Sequence, residues 1–356
     1  MIRILHITGG MNRGGQETFI MNVYRNIDRS KIQFDFVVHS NSKYDYEEEI
    51  NKLGGKLHRL PPKKKNPLKY FSEIKKLVTV NNYSIVHRHT CNASSFLELY
   101  AAKQGGAQIL IAHSHNTNDT SNIVLHNISK VFLNKLVDYK YACSTAAGKW
   151  LFGTSNFEVI NNGVDTDLYK YNESIKNKIL KAEKINSSFV IGHVGRFSKV
   201  KNHNFLLDIF QHVIKKEKDS KLLLIGVGEE QEGIKEKVNK LDLNDNVLFL
   251  GKRDNVNELL QSIDVFVYPS LFEGLPVSLI EAQASGLPCV ISDNITNEVA
   301  ITNLVTSFSL NENAANWANI ILRYKNFNRD DTSDQIKNSG YDIKTTTLRL
   351  QSIYIK

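Results

Sequence analysis

Three short segments of the 356-residue chain combine residue types and spacings that could hold a charged ligand. In PSLFEGLPVSLIEA, Pro269 to Ala282, two carboxylates, Glu273 and Glu281, flank a turn and the start of a helix. Pro276 suits a first helical turn, so Glu281 falls about five residues in, roughly 7 Å along the axis. That separation matches a diphosphate. One carboxylate can accept hydrogen bonds from a sugar and the other from a ribose, with helix amides facing the phosphates between them. In GRFSKVKN, Gly195 to Asn202, Arg196 and Lys201 stand five apart in a loop entering a helix. A guanidinium fork and an ammonium point charge can bracket the same diphosphate. In GGMNRGG, Gly9 to Gly15, glycines lie between the first strand and an amphipathic helix, where backbone amides can approach an anion at the positive helix end.

Each segment alone admits a plainer account: a surface helix, a solvated basic loop, a flexible turn. Their joint occurrence favours the ligand. A dinucleotide fingerprint is disfavoured, because the glycine spacing differs from Gly-x-Gly-x-x-Gly and the next strand, FDFVVHS, ends in His39 and Ser40 instead of an acid. Two pairs of histidines, His87 with His89 and His113 with His115, are spaced i, i+2 at strand ends and can share one face. His113 reads as a strand residue bonded to backbone. No carboxylate or cysteine completes a ligand spacing beside the four imidazoles, so we expect no metal. Asp165-Thr166-Asp167 reads as capping and turn chemistry after Asn162-Gly163. Gly226 to Glu229 reads as a strand-to-helix turn that is either plain or flanks a nucleotide base.

The elements that must position these residues are short β-branched runs alternating with helix-sized spacers, which predicts parallel α/β sheets. Runs at Ile2 to Thr8, Gln33 to Val38, Ser84 to His89, Gln108 to His113 and Tyr139 to Ser144 precede a polar break at Ile160 to Ser188. Five more follow: Val190 to Val194, Lys221 to Gly226, Asn246 to Leu250, Val265 to Tyr268 and Pro288 to Ser292. We therefore expect two tandem Rossmann-like, doubly wound domains, 1–165 and 166–338, with an inter-domain cleft, and a closing helix over 339–356 that packs back towards the first domain.

Composition agrees with a globular protein: 41% hydrophobic and 23% charged residues exclude disordered, collagen-like and integral membrane classes. Cys91, Cys143 and Cys289 are too scattered for a disulfide framework or a zinc site and suit a reducing compartment. The chain opens directly on a strand with no leader pattern and has no 18-residue apolar stretch, so the expected location is cytoplasmic. The net charge of +8 is uneven: the first 180 residues hold 24 basic against 15 acidic side chains, the remainder 21 against 22. Nucleic acid is set aside for want of any recognisable binding module. In PPKKKNPLKYFSEIKKLV, residues 61–78, Leu68, Phe71, Ile74, Leu77 and Val78 form one helical stripe. Lys63, Lys64, Lys65 and Lys69 form a basic patch suited to an acidic membrane surface, which would make the protein peripheral on the inner face of the cell membrane.

Taken together, FEGLPVSLIEAQASGLPCVISD with its paired glutamates, GRFSKVKN, GGMNRGGQE, INNGVDTD, IGVGEE and HSHN resemble glycosyltransferase family 4, of GT-B fold, over residues 3 to about 300. IVHRHTCNAS and IAHSHNT are similar to the bacterial capsule and exopolysaccharide members. The resemblance implies a retaining transferase that moves a hexose or N-acetylhexosamine from a nucleotide-diphosphate sugar, UDP-linked, to a polyprenyl-diphosphate-linked saccharide. By that resemblance Arg196 and Lys201 hold the donor diphosphate, Glu273 the hydroxyls of the transferred sugar and Glu281 the ribose. Gly14 and Gly15 approach the diphosphate, the turn at Gly274 and the amides of Leu275 and Val277 face phosphate or sugar, and His115 stands beside the anomeric carbon on domain closure. No cofactor or metal is implied; the departing diphosphate takes the acceptor proton. The alternatives are a sugar-nucleotide epimerase of the same architecture and an inactive nucleotide-sugar-binding partner subunit.

Overall fold

The computed structural model describes residues 1–39, 41–63, 65–116 and 122–355, so Lys64, Ser40 and Thr117 lie outside the described residues. Among these, every strand pairing between named strands is parallel, and the chain divides into two compact units, Met1–Gly163 with Asp342–Lys356, and Val164–Tyr341.

The first unit contains β1 (Ile2–Gly9), β2 (Ile32–Val38), β3 (Lys56–Arg59), β4 (Ile85–Thr90), β5 (Ile109–Ser114), β6 (Tyr139–Ala142) and β7 (Glu158–Val159), in the spatial order β3-β2-β1-β4-β5-β6-β7. The second contains β8 (Val190–Val194), β9 (Lys221–Ile225), β10 (Val247–Gly251), β11 (Val265–Tyr268), β12 (Cys289–Ser292) and β13 (Val305–Phe308), ordered β10-β9-β8-β11-β12-β13. In each sheet the chain winds outward in one direction, then crosses back and winds out in the other. The reversal falls between β1 and β4 in one unit and between β8 and β11 in the other. Parallel sheets need both faces covered, which is why β9 (KLLLI) and β11 (VFVY) read as nearly unbroken apolar runs, while β1, β4 and β5 interrupt theirs with histidines.

Helices supply that cover. In the first unit Phe19, Phe34, Phe36 and Tyr354 fill one side of the sheet, while Tyr70, Ile74, Leu99 and Leu133 fill the other. The C-terminal helix Ile343–Tyr354 belongs to this unit and buries Ile343, Leu350, Ile353 and Tyr354. Leu348 in the same helix is exposed, so it does not share the buried stripe. The helix Pro67–Asn81 likewise buries Tyr70, Ile74 and Val78 but leaves Leu68, expected on the apolar stripe, 83% exposed in its first turn.

The sequence pattern located ten strands, the nine inner ones and the edge strand β10, to within one or two residues at most ends. It missed β3, β7 and β13, all of which lie at sheet edges. An edge strand needs pairing on one side only, and these three are short and only partly buried. No helix among the described residues is long and apolar enough to cross a membrane.

Candidate functional site

The second unit carries the cationic loop and both glutamates. Loops leaving the carboxyl ends of β8 and β11 border the point where strand order reverses, the place where parallel sheets bind ligands. The first loop closes a single turn at Lys199–Lys201, and the second runs through Pro269 to Glu273. Two hydrogen bonds tie them: Leu271 N–H donates to the Val200 carbonyl at 2.8 Å, and Asn202 Nδ2 donates to the Pro269 carbonyl at 3.1 Å. The tie brings Lys201 Nζ to 2.6 Å from Glu273 Oε1 in a largely buried ion pair. The same ammonium donates to the Tyr268 hydroxyl and lies 4.7 Å from the centroid of its ring. Burial pulls the Lys201 pKa down, but Tyr268 and Glu273 outweigh burial and leave it raised, so the side chain is a cation at neutral pH.

The helix Val277–Ala284 starts one residue later than the sequence suggested. Pro276 is its N-cap, with φ −71° and ψ 117°, and no side chain caps it. Its first-turn N–H groups form a positive end, of which Leu279 N–H donates to the Pro276 carbonyl at 3.1 Å. Gly274 lies in the preceding turn, and Leu275 and Val277 pack partly buried against the core. Glu281, fifth in the helix, is buried and accepts a 2.7 Å hydrogen bond from the Tyr169 hydroxyl. Burial raises its carboxyl pKa against the opposing effect of that bond.

Arg196 is not gathered into the Lys201–Glu273 pair. Its guanidinium is 72% exposed and donates from Nε to Glu229 at 2.9 Å. The turn holding Glu229 owes its glycines to packing: a Cβ on Gly226, at φ +139°, would stand 2.0 Å from the Gly195 carbonyl, and one on Gly228 would stand 2.3 Å from that of Phe197. Asp165 caps the helix Thr166–Tyr169, accepting from the N–H groups of Asp167 and Leu168, so this pair of aspartates serves turn chemistry as its position suggested.

In the first unit, Gly14 is the N-cap of the helix Gly15–Asn26 with φ −130°, and no side chain caps it. A Cβ built on Gly14 would meet Glu17 Oε2 at 2.5 Å, whereas one on Gly15 would meet nothing within 4 Å. Gly15 thus leaves open space over a helix N-terminus. Beside this turn the sheet register sets His6 against His87 and His89 against His113. The four histidines do share a face, and His6 of β1 joins them. Chain reading missed it because its partners lie on other strands, although the period of β1 puts it on the same side as Ile4.

Two contacts order the imidazoles: His6 Nδ1 to His89 Nε2 and His89 Nδ1 to His115 Nε2, each 2.9 Å. His87 Nδ1 pairs with the Tyr354 hydroxyl at 2.7 Å. His113, expected to bond to backbone, instead has no hydrogen-bond partner at either nitrogen among the described residues and stacks 4.2 Å from His115. Its neighbours include the rings of Phe19, His87, His89, His115 and Tyr141. Burial lowers the His6 and His115 pKa values to about 3, and those of His87, His89 and His113 well below the usual value. Nitrogen atoms of His6, His87 and His89, and of His89, His113 and His115, lie close enough to suit a metal, and among the described residues these groups consist of histidines alone.

Of the basic patch, Lys65 and Lys69 are exposed. Lys63 stands 3.6 Å from the buried carboxylate of Glu98 and over the Phe71 ring, so part of its charge is engaged within the protein.

The model of glycosyl transferases group 1 matches residues 174–342, and that of glycosyltransferase family 4 matches residues 13–168. EpsF of Bacillus subtilis, which carries a glycosyltransferase name, is 39% identical over 99% of this chain and 96% of its own. CapH of Staphylococcus aureus, named a capsular polysaccharide biosynthesis glycosyltransferase, is 29% identical over 100% and 99%. A protein of Escherichia coli named UDP-Gal:alpha-D-GlcNAc-diphosphoundecaprenol alpha-1,3-galactosyltransferase is 26% identical over 81% and 79%. The crystal structure of Anabaena HepE, solved with UDP and glucose, superposes with a TM-score of 0.80 at 17% identity over 100% of both chains.

Proposed function

The chain belongs to glycosyltransferase family 4 and is a GT-B glycosyltransferase, and from that premise we propose that it moves a hexose or N-acetylhexosamine from a UDP-sugar to a lipid-linked saccharide in capsular or exopolysaccharide assembly, with retention of configuration. The observation that carries this reading is the largely buried Lys201–Glu273 pair at the strand-order reversal, with Glu281 buried in the helix that follows. A diphosphate entering there exchanges Glu273 for phosphate oxygens around the Lys201 ammonium and leaves the Glu273 carboxylate to accept from sugar hydroxyls. Glu281 accepts from the ribose, Arg196 leaves Glu229 for the phosphates, and the turn through Gly274, with amides of Leu275 and Val277, lines the phosphates or sugar. Gly14 and Gly15 offer a second set of amides.

In the proposed reaction the acceptor oxygen bonds to the anomeric carbon on the face from which the diphosphate leaves, and the hydroxyl proton passes to the departing phosphate oxygen. His115, neutral because burial lowers its pKa, stands beside the anomeric carbon and donates or accepts a hydrogen bond without adding charge. Lys201 and Arg196 carry the charge of the leaving group, so the reaction requires no divalent cation. In this reading residues 1–165 bind acceptor and 166–338 bind donor, and the protein works at the inner face of the cell membrane. The names of the CapH and galactosyltransferase relatives and the UDP bound by HepE support the choice of pathway, acceptor class and nucleotide.

Calorimetric titration in chelator against UDP, GDP and ADP tests it. We expect selective UDP binding that weakens at least tenfold in Lys201→Ala with Arg196→Ala. Equal affinity for all three nucleotides, or none, removes the donor assignment.

A further inference from the structure

The helix Ile123–Leu136 turns its polar side inward. An ordinary surface helix points its apolar stripe at the core. Here the buried positions are His126, Ser129 and Leu133, while Val124 (64%), Leu125 (48%), Ile128 (57%), Val131 (55%) and Phe132 (53%) are exposed. At 100° per residue these five fall within an arc of about 120°. Lys135 shares the arc and is exposed. The patch continues onto the neighbouring helix Phe96–Gln104, where Phe96 stacks on Phe132 at 5.4 Å and Tyr100 is 52% exposed. Single exposed apolar residues need no explanation, but a contiguous outward stripe marks a surface that something covers.

We propose that this face docks the protein on an anionic lipid bilayer, its apolar side chains entering the boundary between headgroups and acyl chains. Charge selects that occupant. The segment IVLHNISKVFLNKL contains no aspartate or glutamate and two lysines, within a half of the chain that carries a surplus of basic residues. A second copy of the chain docking through the same face would oppose cationic helix to cationic helix. Size points the same way: a 14-residue helix is about 21 Å long and offers a strip of roughly 200 Å², to which Phe96 and Tyr100 add only two side chains, so the patch stays below the roughly 800 Å² per partner of a stable protein interface. A bilayer sets no such minimum, and an apolar stripe with a lysine exposed within it, here Lys135, suits a helix that lies in its interface, while Lys130 turns away over the Trp150 ring. The biological use of this surface rests on the lipid-linked acceptor proposed above, since such an acceptor presents its saccharide at a bilayer; the physical argument rests on the helix alone.

The test is co-sedimentation of the full chain with phosphatidylcholine vesicles with and without phosphatidylglycerol, read alongside UDP titration and light scattering. Wild-type protein is expected to partition onto the phosphatidylglycerol vesicles. Ile128→Ser with Phe132→Ser lowers partitioning at least tenfold at any salt concentration, while Lys135→Glu lowers it less and only at low salt. UDP titration and circular dichroism report that the exposed-site variants remain folded. No partitioning, equal partitioning of the double variant, or a wild-type dimer that the double variant abolishes overturns the proposal. Vesicle binding without UDP binding leaves it standing and sinks the donor reading, whereas UDP binding without vesicle binding does the reverse.

Discussion

Glu273 and Glu281 flank the same helix start but meet opposite electrostatic conditions. Glu273 is neutralised by the Lys201 ammonium, whereas Glu281 is buried with a phenol as its neighbour. Because burial raises the Glu281 pKa, its contribution to stability is present at acid pH and is lost as pH rises through the folded value, so at pH 7 its ionised form is a cost. Glu281→Gln keeps an acceptor for Tyr169 and removes the charge. We expect it to raise the melting temperature of the second unit by about 2–4 °C, corresponding to about 1 kcal/mol, and to weaken UDP binding about tenfold through the ribose. Glu273→Ala should instead lower turnover by about 10²-fold with less effect on donor affinity. Scanning calorimetry and steady-state kinetics separate the two, and an unchanged melting temperature together with a turnover-only defect in Glu281→Gln would show the roles exchanged. The glutamates and Lys201 were legible in sequence because turn and helix spacing places them. Tyr268 and Tyr169 were not, since each meets its partner across tens of intervening residues and only through sheet and helix packing.

At the scale of elements, β1, β4 and β5 align four buried imidazoles, and the partly buried His115 follows directly after β5. Lowered pKa values keep them neutral in the fold, while the unfolded chain titrates near pH 6.5. Their contribution is therefore complete above about pH 6.5 and is lost as pH falls towards about 3. Each imidazole adds a slope of up to about 1.4 kcal/mol per pH unit once its unfolded form is protonated. Urea unfolding of the first unit at pH 7.5, 6.5 and 5.5 should show stability falling steeply over a range in which most carboxylates still stay ionised. His113→Leu gives the sharper reading, because it removes two unpartnered buried nitrogens: stability at pH 7.5 should rise by about 1–3 kcal/mol and the slope should fall by one histidine's share. A destabilised variant with an unchanged slope would contradict the account. The same strands explain what sequence could and could not reveal of the fold. Inner strands buried on both faces announce themselves as apolar runs, as in VFVY and CVIS, whereas the edge strands KLHR and VTSF carry polar side chains to solvent and lack that signal.

Across the whole molecule the chain leaves the first unit at Gly163 and re-enters it at Asp342, so that unit is completed only after the second has been synthesised. The re-entry is sterically specified: a Cβ on Gly163 would stand 2.8 Å from the Cα of Ile343, a position only glycine permits without shifting backbone. What returns is substantial. Ile343, Leu350, Ile353 and Tyr354 are at most 6% exposed, and Tyr354 supplies the hydroxyl that pairs with His87. At about 1.5–3 kcal/mol per buried side chain their loss removes about 6–12 kcal/mol, as much as the whole stability of a typical domain. A chain ending at Tyr341 should therefore lose the first unit while the second, whose core contains none of these residues, stays folded. Limited proteolysis distinguishes the outcomes. Rapid digestion of 1–163 beside a persistent fragment of 164–341 that still binds UDP is expected, whereas protection of both halves to the level of the full chain would mean that the first unit closes its core without the returning helix.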